Sequence, residues 1–138
     1  MAFIEIENLS FTYPNQQHRA LSDISLKIDE GEFLLICGTS GSGKSTLLRQ
    51  LKREITPFGA KSGRILYRGE PLDKLEEQAA AGEIGFVMQD PENQIVTDKV
   101  WHELAFGLES LGLPTKVIRR RVAEMASFFG IQDWFEKK

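Results

Sequence analysis

The sequence predicts an α/β fold: an antiparallel β flank, a core of strands and helices around a glycine-rich turn, and the start of a helical subdomain. Three patterns carry this prediction. Near the N-terminus apolar residues alternate with charged ones, two later runs are apolar without alternation, and from about residue 90 onward apolar stripes recur at helical spacing.

In chain order, Ile4 and Ile6 alternate with Glu5 and Glu7, and Ile24, Leu26 and Ile28 with Ser25 and Lys27. Each set reads as a strand with one face inward and one in water. Asp29-Glu30-Gly31 supplies a turn. Phe33–Cys37 and Ile84–Met88 are the unalternating runs, expected as strands covered on both faces. Between them, Leu47, Leu48, Leu51 and Ile55 mark a helix that Pro57 stops, and residues 64–67 a short strand. Residues 72–82 favour a short helix or turn ending at Gly82. Trp101, Leu104, Ala105, Leu108 and Leu111 form one helical stripe. Thr115 is expected to cap a second helix that buries Ile118, Val122, Met125 and Phe129 and stops at Gly130.

The 138 residues are 41% hydrophobic, which fits a single domain. Seventeen Lys and Arg against twenty Asp and Glu give a net charge of −3, which speaks against a general polyanion binder and hence against nucleic acid as a partner. Cys37 is the only cysteine, so disulfides and a cysteine-based zinc site are excluded and a reducing compartment is expected. The opening MAFIEIENL lacks the basic start and apolar core of a secretion signal. No run approaches the roughly 18 apolar residues of a membrane span.

Gly38-Thr39-Ser40-Gly41-Ser42-Gly43-Lys44-Ser45-Thr46 matches G-x-x-x-x-G-K-[ST] between an expected strand and an expected helix. Glycines let successive backbone N–H groups point into one concavity, and the helix start adds partial positive charge. Lys44 reaches for β- and γ-phosphates, and the Ser45 hydroxyl suits Mg²⁺. Gly38, Ser40, Gly41, Ser42, Gly43, Lys44, Ser45 and Thr46 are therefore the candidate phosphate cradle. Such a loop points to a nucleotide but leaves the activity open.

Around this loop the sequence resembles the ATP-binding subunits of ABC transporters. The resemblance rests on Phe3–Tyr13, Ala20–Leu26 and Gly31-Glu32, which look like that family's N-terminal sheet, and on Gln89 after the second apolar run. Gln89–Val96 and Glu103–Pro114 further resemble the ATPases of energy-coupling factor (ECF) importers of cobalt, nickel or vitamins. The family implies a P-loop NTPase core of RecA-like fold over residues 1–88, then a glutamine loop and the first part of a helical subdomain over 89–138. It implies ATP and Mg²⁺ as cofactors, Tyr13 stacking on adenine, Gln89 touching Mg²⁺ and the attacking water, and Lys44 and Gln89 as catalytic residues. It implies membrane-spanning partner subunits, a second ATP-binding subunit, and a peripheral place on the cytoplasmic face of the membrane.

The family's LSGGQ motif, Walker B acids and switch histidine have no counterpart here, so a truncated subunit that binds nucleotide but turns it over slowly is expected. Unpaired strand edges and uncovered apolar faces should follow. Without the resemblance, Tyr13 reads as an edge-strand aromatic, Gln89 as a loop residue, and His18 and His102 as ordinary histidines. The stripe from Trp101 to Leu111 reads as helix packing or a docking groove. Lys116, Arg119, Arg120 and Arg121 read as a solvated face or a contact for acidic groups. Two other functions remain in view: a small P-loop kinase using Asp90 and Arg119–Arg121, and an interaction module with a vestigial loop.

Overall fold

The computed structural model describes residues 2–138. The chain forms two compact units, one ending at Phe86 and the other running from Val87 to Lys138.

The first unit is built on a four-stranded antiparallel sheet in the order β2-β1-β3-β4, with β1 Ile4–Thr12, β2 Leu21–Ile28, β3 Ala60–Tyr67 and β4 Glu70–Pro71. β1 carries a bulge that the simple alternation hides. Ile6 is buried, and beyond the bulge the buried positions become Leu9 and Phe11, so the inward phase changes from even to odd numbers. Asn8 takes φ 48° at this point, its N–H donates to Ser25 Oγ at 3.0 Å, and its Nδ2 donates to Asp23 Oδ1 at 2.8 Å. Opposite it, Gly63 (φ +84°) admits no side chain, since a Cβ would stand 2.2 Å from the Asn8 carbonyl oxygen. Polar side chains thus stitch the kink that keeps both halves of β1 facing the same core.

That core contains Ile6, Leu9, Phe11, Leu21, Ile65, Tyr67 and Leu72, together with Leu47 from helix α1 (Lys44–Gln50). α1 is shorter than the apolar spacing suggests; Leu51 ends it, and Arg53–Ile55 forms a separate 3₁₀ turn. Helix α2 (Glu77–Glu83) runs through Gly82 and stops one residue later. Residues 33–37 and 84–88, expected as buried strands, join no ladder among the described residues. Phe33 is 94% exposed, Leu35 75% and Val87 77%. An apolar run becomes a buried parallel strand only when neighbouring strands take its amides and helices cover both faces. The described residues provide neither, and the expected uncovered apolar faces are present.

The second unit pairs α3 (Val100–Ser110) with α4 (Thr115–Phe129) over Ala105, Ile118 and Val122, with Leu104, Leu108, Leu113 and Phe135 at the margin. Trp101 is 36% exposed rather than packed inside. Pro114, not Thr115, occupies the N-cap of α4, while Gly130 ends the helix in the left-handed conformation (φ 69°) as expected. The buried line of α4 is Ile118, Val122 and Ala126; Met125 and Phe129 are 48% and 63% exposed. Within this i, i+4 row Ile118 and Val122 pack with Ala105 of α3.

Glu103, in the first turn of α3, anchors the preceding loop. Its carboxylate accepts hydrogen bonds from the Thr97 amide (2.9 Å), the Val96 amide (3.0 Å) and the Thr97 hydroxyl (3.0 Å). The Thr97 amide above all holds this carboxyl below its ordinary value of 4.5, against the opposing effect of burial. A lowered folded-state pKa contributes stability that is complete above about pH 4.5 and is lost as pH falls through the folded value. Trp101 and Trp134, the only two tryptophans, both lie in this unit, so their fluorescence reports its unfolding. The thermal midpoint read this way should fall as pH drops below about 4.5, and Glu103→Gln should flatten that fall. An equally steep fall in the variant would show that other groups cause it.

Candidate functional site: a glycine-rich phosphate cradle

The cradle follows from the way α1 begins. Gly43 is the N-cap of α1 in the left-handed region (φ 96°), and no side chain caps the helix. The N–H groups of its first turn therefore lack the usual side-chain acceptor. The Leu47 amide closes the first helical bond to the Gly43 carbonyl at 2.9 Å. Gly43 also lies where no side chain fits, because a Cβ would stand 2.6 Å from the Ala20 carbonyl oxygen and 3.3 Å from Leu21 Cδ2. Ala20 is itself fixed to the sheet by its amide, which donates to the Phe11 carbonyl at 2.8 Å.

Upstream, the Ser42 amide donates to the Thr39 carbonyl at 3.1 Å and tightens the loop. Gly41 takes φ +78° with open space where a Cβ would be, and Gly38 lies close enough to Ser42 that a Cβ would stand 2.7 Å from its Oγ. Lys44 arches back over this loop. Its Nζ donates to the carbonyls of Gly38 (2.6 Å) and Thr39 (2.7 Å) and approaches Ser42 Oγ at 3.3 Å. The ammonium is thereby held at the loop by weak neutral acceptors, for which a charged phosphate oxygen is a stronger substitute. Ser40, Gly41, Ser42 and Ser45 are exposed, whereas Thr46 is buried.

Tyr13 is brought to this loop. Its hydroxyl shares a 2.8 Å hydrogen bond with Thr46 Oγ1, and its ring meets Phe11 edge-on at 4.9 Å between centroids. Gln89 belongs to the second unit and is exposed. Its loop is closed by Gln94, whose Oε1 accepts from the Met88 amide at 2.7 Å, and by a 3₁₀ turn over Pro91–Gln94. Neither Gln94 nor the Tyr13–Thr46 bond was among the sequence expectations, because a glutamine inside a short turn and a threonine ending a glycine motif carry no separate signal. Asp90 is the N-cap of that 3₁₀ turn. His102 contacts Asp98 at 3.4 Å and the Trp101 ring at 3.8 Å between centroids. Among the described residues, no cluster of three His, Cys, Asp or Glu side chains is placed to hold a metal, and no helix is long and apolar enough to cross a membrane.

The ABC transporter family pattern matches residues 21–138. A putative ABC transporter ATP-binding protein of Bacillus cereus is 49% identical over 133 residues, which are 96% of this chain and 24% of that protein. The energy-coupling factor transporter ATP-binding protein EcfA1 of Streptococcus thermophilus is 40% identical over 98% of this chain and 48% of its own length. The chain thus spans about a quarter to a half of these curated relatives. Among solved structures, CbiO1 of Clostridium perfringens, part of the ABC transporter complex CbiONQ, superposes with a TM-score of 0.81 at 33% identity, over 99% of this chain and 53% of that one. The ATP-binding cassette MJ0796, in a dimeric post-hydrolysis state with ADP and phosphate, shares the fold with a TM-score of 0.76 at 23% identity. The fold is therefore that of an ABC ATPase, with its N-terminal antiparallel sheet and part of its helical region, and the chain belongs to the ABC transporter family.

Proposed function

We infer that this chain is the nucleotide-binding part of an ABC transporter ATPase and takes up Mg-ATP through residues 38–46. The observation that carries the reading is the uncapped start of α1 behind a left-handed Gly43, with the Lys44 ammonium resting 2.6 and 2.7 Å from loop carbonyls. Backbone amides from Gly41 to Ser45 surround the β-phosphate, and Lys44 exchanges its carbonyl partners for β- and γ-phosphate oxygens. Ser45 is exposed and free to turn its hydroxyl toward Mg²⁺, which keeps most of its coordination from water and phosphates and needs few protein ligands. When bound, the ion neutralises charge on the β- and γ-oxygens. Tyr13 offers its partly exposed ring to adenine, and Gln89 serves as the contact to metal and attacking water.

The likeness to EcfA1 and CbiO1 supports an ECF-type importer of cobalt, nickel or a vitamin, working with membrane-spanning subunits and a second ATP-binding subunit on the cytoplasmic face. The functional division we propose puts the cradle and sheet up to residue 88 and the Gln89 loop and first subdomain helices beyond it, two residues past the end of the first compact unit at Phe86. A small-molecule kinase would recruit Asp90 and Arg119–Arg121, but a family match across residues 21–138 favours the transporter reading.

In calorimetry the 138-residue chain should bind Mg-ATP, and Lys44→Ala should weaken binding by about tenfold or more, the loss of a charge-assisted contact of about 1.5–3 kcal/mol. An affinity unchanged in the variant would contradict the assignment, and phosphoryl transfer to an added acceptor would restore the kinase. Steady-state hydrolysis by this chain should be far slower than that of an intact transporter, because the family's Walker B acids have no counterpart in this sequence. A fast rate abolished by Lys44→Ala would overturn that expectation.

The Tyr13–Thr46 bond is tested separately by a double-mutant cycle on unfolding. Tyr13→Phe and Thr46→Val should each cost about 0.5–1.5 kcal/mol and the double variant little more than one of them. Additive losses would show that the two hydroxyls act independently.

A further inference from the structure

Behind the cradle, two adjacent basic residues make contacts that no nucleotide motif explains. Lys52 follows the last turn of α1, and its side chain is 14% exposed. Its Nζ donates to three carbonyls at the C-terminal end of α2, those of Ala80 (3.2 Å), Ala81 (3.2 Å) and Ile84 (2.5 Å), and lies 3.3 Å from Glu54 Oε2. Arg53 donates from Nη1 to the Leu75 carbonyl, just before α2 begins. The pair therefore holds α2 at both ends. The turn that carries them is closed by the Thr56 hydroxyl, which lies 2.9 Å from the Arg49 carbonyl and 3.0 Å from that of Lys52.

The chemistry suits the place. The last carbonyls of a helix have no intrahelical donors and form its negative end, so a cation with three donors satisfies several at once. A mostly buried ammonium persists only when it is paired in this way. The Tyr67 hydroxyl donates to Glu83 Oε2 at 2.8 Å, and Tyr67 is 5% exposed. The end of α2 is thus held by both Lys52 and Tyr67 just before the chain continues through Ile84 toward Gln89.

α1 carries Lys44, Ser45 and Thr46 at one end and leads directly into Lys52 at the other. A seven-residue helix is about 10 Å long at 1.5 Å per residue and behaves as a stiff rod. We propose that Lys52, with Arg53 as a second strut, is a positioning residue that makes residues 75–84 follow α1, so that occupancy of the cradle is relayed to the segment leading to Gln89. The inference rests on the nucleotide reading above. A coupling of this kind is reciprocal: whatever order nucleotide brings to the segment, the segment returns as nucleotide affinity.

The test is amide hydrogen exchange of residues 80–86 in the 138-residue chain, with and without saturating Mg-ATP, alongside calorimetry. The wild-type chain should exchange about fivefold or more slowly in this segment when nucleotide is bound. In Lys52→Met the slowing should shrink to about twofold or less, while the Kd for Mg-ATP changes by no more than the wild-type slowing factor. Lys52→Gln, which keeps donors for one or two carbonyls, and Arg53→Met, which removes the other strut, should fall between, and they carry the comparison if Lys52→Met does not fold. Slowing of wild-type size in variants that bind Mg-ATP would overturn the relay, as would a wild-type chain that binds Mg-ATP with no slowing. A wild-type chain that gives no heat with Mg-ATP would instead sink the nucleotide reading, and the relay with it.

Discussion

The approach of Gly43 to Ala20 is the constraint on which the first unit depends. With a Cβ at Gly43 only 2.6 Å from the Ala20 carbonyl oxygen, the start of α1 and the chain entering β2 lie closer than any side chain allows. That contact drops Leu47 into the sheet core beside Leu21 and brings the Thr46 hydroxyl to Tyr13. The same left-handed residue leaves the start of α1 without a side-chain cap. One backbone position therefore serves two ends: it fastens the helix to the sheet and leaves the first-turn N–H groups without a side-chain acceptor.

The energetics of the chain match this division of labour. The buried apolar residues of the first unit lie between the antiparallel sheet and α1, and each contributes about 1.5–3 kcal/mol at most by leaving water. Phe33, Leu35 and Val87 add nothing of this kind while they stand exposed. The second unit rests on Ala105, Ile118 and Val122, a narrow seam for two helices, and leans on polar anchors such as Glu103 to fix its loop. Exposed ion pairs add little; Arg64 holds the Glu7 carboxyl below its usual range through a direct hydrogen bond, yet both groups are open to solvent.

How much of this was legible in the sequence depends on how much of each feature is local. The cradle was legible because G-x-x-x-x-G-K-[ST] encodes its backbone and its chemistry in eight consecutive residues. The strands around Ile6 and Leu26 were legible as alternation, but the bulge at Asn8 was not, since it depends on Gly63 and Asp23 in other strands. The α4 stripe as far as Ile118 and Val122 was legible, but spacing alone does not distinguish Ala126, which is buried, from Met125 and Phe129, which stand exposed. The runs 33–37 and 84–88 have the composition of buried strands, yet burial is supplied by neighbours and not by the run itself. Lys52, Arg53 and Gln94 were silent because their partners are backbone atoms, and no residue pattern announces a carbonyl.

A sheet that pins a glycine loop, a lysine folded over that loop and a tyrosine tied to its last residue are the features on which the proposed nucleotide binding rests. The direct measurement is the change in backbone amide NMR shifts as Mg-ATP is added. The largest changes should fall on Gly41–Thr46, accompanied by Tyr13 ring signals, and Lys44→Ala should shrink them at the same subsaturating nucleotide concentration. Saturable shifts elsewhere, with Gly41–Thr46 unmoved, would contradict this binding mode.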